Sequence, residues 1–65
     1  MNEMVIQARM VGQMDYNAGR PRIPAASDLC MALIEKFQEA THSNSIIILQ
    51  QWIRGWDEAQ TIAQS

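Results

Sequence analysis

The stretch Gln51-Trp52-Ile53-Arg54-Gly55-Trp56-Asp57-Glu58-Ala59 decides how this chain folds. Both tryptophans of the 65-residue sequence lie in it, four residues apart, with a glycine between them. Residues four apart share a helix face, so Trp52 and Trp56 form an aromatic ledge, and Gly55 and Ala59 form a neighbouring strip almost without side chains. A glycine inside a helix costs about 1 kcal/mol relative to alanine, a cost best tolerated where another backbone comes close. The stretch therefore marks a contact surface, made either within the chain or with a partner.

Upstream of it, Ile46-Ile47-Ile48-Leu49 is apolar all round and, taken alone, reads equally as a short buried strand. The apolar period continues through Trp52, Ile53, Trp56 and Ala59, and this length decides for a helix over about residues 45–63. Two stripes run along it: Ile46, Leu49, Ile53 and Trp56, and Ile48, Trp52, Gly55, Ala59 and Ile62. One neighbouring helix covers one stripe, which leaves the other for a second helix or another molecule. Thr41-His42-Ser43-Asn44-Ser45 reads as a polar turn in which Asn44 or Ser45 caps this helix.

Before that turn, Ser27 is suited to N-cap a helix over about residues 28–41, with Asp28 placed against the positive end of its dipole. Leu29, Cys30, Leu33, Ile34 and Phe37 supply its apolar positions. Residues 19–26 contain Pro21 and Pro24 and read as an extended linker. A first helix over about residues 2–18 carries Met4, Ala8, Val11 and Ala18 on a broad apolar face; Gly12 weakens its middle and Gly19 suits a left-handed cap at its end. The expectation is a single all-α domain, residues 1–65, built as a compact array of about three helices, with dimerisation as one way to complete its core.

Composition narrows the function. A chain this short buries only about 60% of its unfolded surface, and 48% of its residues are hydrophobic, so a partner or a second copy is a usual remedy. Cys30 and His42 are single, which points away from a disulfide framework and a metal cluster and toward a reducing, cytoplasmic setting. Cys30 falls in the first turn of a helix, where a thiol pKa can drop, yet a buried small hydrophobe is the simpler reading. No glycine-rich phosphate loop, triad or paired acid motif occurs, so we expect a non-enzyme with no cofactor, catalytic residue or small-molecule substrate. There is no apolar run long enough for a membrane span and no secretory leader pattern. A net charge of -2 disfavours general attraction to nucleic acid. Locally, however, Arg20 and Arg22 flank Pro21, and their planar forks suit phosphates or a partner's carboxylates.

Two motifs, taken in order, resemble the ribosome modulation factor family of small bacterial proteins. Tyr16-Asn17-Ala18-Gly19 is similar to that family's aromatic-x-Ala-Gly near the end of its first helix, and Gln51–Ala59 to its Trp-x-x-Gly-Trp-x-x-Ala. The resemblance implies a helical protein that binds the small ribosomal subunit and helps pair ribosomes into inactive dimers. Arg20, Arg22 and Arg54 would then be phosphate contacts, and Tyr16, Gly19, Trp52, Gly55, Trp56 and Ala59 packing or interface residues. The chain departs from the family in being acidic and in placing a helix, Asp28 to Ala40, between the motifs. Two functions from different classes follow: translation control through ribosome or ribosomal RNA binding, or a small adaptor or inhibitor that binds one protein target through the tryptophans and the methionine-rich first helix. A homodimer is expected under either, since the second apolar stripe of the last helix calls for a cover.

Overall fold

In the computed structural model, which describes residues 2–37 and 43–65, Asn2 opens the first helix: its side-chain oxygen accepts the Met4 backbone N–H at 2.9 Å. This helix, α1, spans Glu3–Asn17. It ends in a Schellman cap, in which the Gly19 N–H reaches the Tyr16 carbonyl at 3.0 Å and the Arg20 N–H the Asp15 carbonyl at 2.9 Å. Gly19 takes φ 79° there, a conformation that other residues adopt only under strain. The linker that follows is not extended throughout, because Pro24 starts a single 3-10 turn, Pro24–Ala26. The Ser27 hydroxyl then accepts the Cys30 N–H at 3.1 Å and caps α2, Asp28–Phe37. The expected continuation of α2 over 38–41 lies outside the described residues, as does His42.

The third helix, α3, spans Ser43–Gln64 and so begins earlier than the polar composition of residues 43–45 suggests. Asn44 is inside it, and its side-chain amide donates to the Phe37 carbonyl at 2.7 Å. It therefore latches the end of α2 instead of capping α3. All regular structure among the described residues is helical, as expected.

The helices run up, down and up. Arg9 lies against Gly55, and Gln13 and Asn17 border the same surface depression as Ala59, Ile62 and Ala63, so α1 and α3 are parallel and α2 returns between them. Met4 and Ala8 of α1, Cys30 and Leu33 of α2, and Ile48 and Trp52 of α3 form the buried core. Of the two α3 stripes, the one holding Ile48, Trp52, Gly55 and Ala59 is buried, while Ile46 and Ile62 stand in solvent. Leu29, placed by its spacing on the apolar face of α2, is exposed, because Cys30 and Leu33 define the buried direction.

Gly12 is not a weak point of α1 but the counterpart of Gly55. A Cβ on Gly12 would sit 2.1 Å from the Trp52 carbonyl oxygen, and one on Gly55 would sit 2.1 Å from the Arg9 carbonyl oxygen. Both obstacles are backbone and cannot swing aside. Ala8 and Gly12 on α1, and Gly55 and Ala59 on α3, give each helix two small residues four apart, which lets the helices meet main chain to main chain. The glycine Cα–H groups then point at carbonyl oxygens, a weak attraction of about 0.5–1 kcal/mol each.

Gly12→Ala and Gly55→Ala should each lower stability by about 1–3 kcal/mol through forced separation of the helices, although alanine gains about 1 kcal/mol in helix propensity. Thermal melts followed by circular dichroism check this. A variant that melts above the parent would mean that the helices do not touch at that residue.

Candidate functional site

A buried acid that neither sequence motif contains adjoins the first motif in the chain and bonds the second in space. Asp15 is 2% exposed, and its Oδ2 accepts the Ser27 hydroxyl and the Trp52 indole N–H, the latter at 2.8 Å. One carboxylate thus ties α1, the start of α2 and the middle of α3. The N-cap reading of Ser27 holds, and its hydroxyl does a second job by donating to Asp15. At the rim, Arg20 Nε lies 3.6 Å from Asp15 Oδ1, so the buried charge faces a cation at the solvent boundary. A buried carboxylate is stable only when its oxygens are satisfied in this way.

Outside this node the linker is stitched onto α3. The Trp56 indole N–H donates to the Arg20 carbonyl at 3.0 Å, and the Tyr16 ring meets Trp56 edge-on, centroids 5.0 Å apart at 87°. Arg22 grips Asp57 with two parallel bonds, Nε to Oδ1 at 2.8 Å and Nη2 to Oδ2 at 2.9 Å. These bonds hold the Asp57 carboxyl below the ordinary carboxylate range and raise the Arg22 guanidinium further. At the next residue of α3, Glu58 Oε1 pairs with Arg9 Nη2 at 3.0 Å. Arg54 joins Asp57, Glu58, Thr61 and Ile62 around a shallow depression on the same surface.

The residues singled out in the sequence therefore divide clearly. Trp52 is fully buried and belongs to the core; Gly55 and Ala59 are buried against α1; Trp56 and Tyr16 are half-buried clamps; Gly19 shapes the linker. No aromatic ledge is free for a partner at Trp52. Arg20, Arg22 and Arg54 are exposed, and the first two are engaged with Asp15 and Asp57. Arg9 belongs with Arg20 and Arg22 to the positive charges of the N-terminal half, whereas no spacing in the sequence marks Asp15 or Asp57, because a buried acid or a paired surface charge leaves no such pattern. For Asp15 there was one available signal, its position one residue before the Tyr16 motif on the apolar side of α1. Burial, helped by the Asp15 charge, pushes the Cys30 thiol up to about 11, opposite to the effect of its place in the first turn of α2. Its thiol is accordingly a packing group. Its raised pKa favours the folded state below the ordinary thiol value, and that contribution is lost as pH rises toward about 11.

Among the described residues no three His, Cys, Asp or Glu side chains gather as a metal site, and no helix is long and apolar enough to cross a membrane. No family model, curated protein or solved structure matches the chain.

Asp15→Ala strands the Ser27 hydroxyl and the Trp52 indole without an acceptor, and should cost roughly 2–4 kcal/mol. Asp15→Asn, which keeps one acceptor oxygen, should cost less. Urea unfolding followed by Trp fluorescence checks the order; equal stability of the alanine variant and the parent would contradict the node.

Proposed function

We propose that this chain is a non-enzymatic, cytoplasmic translation-control protein that acts like the ribosome modulation factors, through contact with ribosomal RNA. The observation that carries the reading is the convergence of its two motifs: Tyr16 packs on Trp56, and the Trp56 indole holds the Arg20 backbone. Residues far apart in the sequence thus form one unit, as a shared functional constraint on both would require. That unit displays the arginines. Arg9, Arg20, Arg22 and Arg54 all belong to α1, the linker or α3, whereas Asp28 and Glu35 sit exposed on α2. Among the described residues the four arginines are balanced by Glu3, Asp15, Asp57 and Glu58 on the same elements, so the acidic total does not describe the surface that carries them, and phosphate attraction depends on the local charge.

A second reading is favoured by a different observation. Ile6, Met10 and Met14, 38%, 54% and 53% exposed, succeed one another every four residues along the outer face of α1. Flexible methionines on an exposed helix face suit an adaptor or inhibitor that binds a protein target. The same stripe is where a homodimer would pack. The surface area of the whole chain, 4377 Å², is close to the roughly 4,200 Å² usual for a compact 7.4 kDa monomer. A second copy is therefore not needed to hide the core, and a dimer would form through this face.

Co-sedimentation with ribosomes tests the first reading. Arg22→Gln combined with Arg54→Gln should weaken association about tenfold or more at low salt while leaving helical content unchanged, and should flatten the salt dependence by roughly one unit of slope per lost phosphate contact. Absence of parent protein from the ribosome pellet would remove this reading and leave the α1 face as the binding surface. Sedimentation equilibrium tests the dimer: Met10→Glu should shift a self-associating parent to monomer, and a parent that is already a clean monomer at micromolar concentration would exclude it.

A further inference from the structure

We infer that Asp57 and Glu58 are built-in stand-ins for phosphate, which hold Arg22 and Arg9 in an RNA-binding posture and mask them until an RNA backbone takes their place. The inference rests on the ribosome reading and names the surface it would use. Over the five residues Arg54–Glu58, α3 gathers three guanidiniums, its own Arg54 with Arg9 from α1 and Arg22 from the linker, around two carboxylates. The side-on grip of Arg22 on Asp57, with two parallel bonds, is the geometry a guanidinium uses on two phosphate oxygens.

Both pairs lie at the surface, with side chains 40% and 44% exposed for Arg9 and Glu58, and 52% and 44% for Arg22 and Asp57. The single-contact Arg9–Glu58 pair is worth little and the bidentate Arg22–Asp57 pair somewhat more, but both are open to solvent and screened by salt, so a polyanion that offers several phosphates at once can displace them. Each carboxylate meanwhile fixes a long side chain in place and lowers the ordering cost of binding. Arg54 has no carboxylate within ion-pair distance among the described residues and gives the incoming backbone its first contact. This arrangement lets an acidic chain keep a cationic face without attracting nucleic acid indiscriminately.

The test compares the parent with Asp57→Asn/Glu58→Gln, using a fluorescein-labelled RNA hairpin and purified small ribosomal subunits as probes. Unmasking should tighten hairpin binding about tenfold at low salt and steepen its salt dependence by one to two contacts' worth. Asp28→Asn/Glu35→Gln makes the same change in net charge on α2 and should give no comparable gain. If the parent binds ribosomes and the unmasked variant binds no tighter, or if the α2 control gains equally, masking is wrong and the ribosome reading stands. If neither protein binds either probe, the ribosome reading falls and masking falls with it. Should the unmasked variant fail to fold, the side-chain Nε–H resonance of Arg22 in the parent decides, since that group bonds Asp57 directly: it should shift on hairpin titration, and an unmoved resonance in the bound state overturns the inference.

Discussion

The rest of this structure depends on the contact between the α1 and α3 backbones at Gly12 and Gly55. No side chain separates the two helices there, and the carbonyls of Trp52 and Arg9 occupy the places where methyl groups would otherwise stand. This proximity brings the Trp52 indole within reach of Asp15 and sets Tyr16 against Trp56. Glycine at either place lowers helix propensity, so local preference has given way to tertiary packing at the point where the fold is defined.

A small domain has little apolar area with which to specify one arrangement. Here polar groups add the specification. Asp15 accepts from Ser27 and Trp52, and through Ser27 it is linked to the cap of α2, so the start of α2 and the face of α3 are registered against the same carboxylate. The Schellman cap at Gly19 turns the chain so that the Arg20 carbonyl meets the Trp56 indole, and the Arg22–Asp57 fork fastens the linker one step further on. Cap, indole and fork together convert a proline-containing linker into part of the surface that carries the arginines.

Much of the fold is legible in the sequence because helical periodicity and capping chemistry are local. The three helices, the Ser27 cap, the Gly19 turn and the close-packing role of Gly55 follow from residue types at fixed spacings. Gly12 does not, since an isolated glycine in a helix looks like a weakness until its partner glycine is found across the interface. Asp15 is harder still: burial of an acid contradicts its polarity, and only the three-dimensional meeting of Ser27 and Trp52 explains it. The candidate site divides in the same way. Arg20, Arg22 and Arg54 stand out as exposed cations on or beside the motifs, whereas their pairing with Asp15 and Asp57, and the arrival of Arg9 beside Glu58, are products of the α1–α3 packing.

Proton nuclear Overhauser spectroscopy of the folded protein tests the backbone contact most directly. The glycine Hα that takes the place of a Cβ at Gly12 faces the Trp56 amide nitrogen, and its counterpart at Gly55 faces the Arg9 Cα. Strong cross-peaks from Gly12 Hα to the Trp56 amide proton and from Gly55 Hα to Arg9 Hα are expected. Their absence in a protein whose helices are intact would show that side chains separate α1 from α3, and would contradict the contact on which the Asp15 node and the docked linker depend.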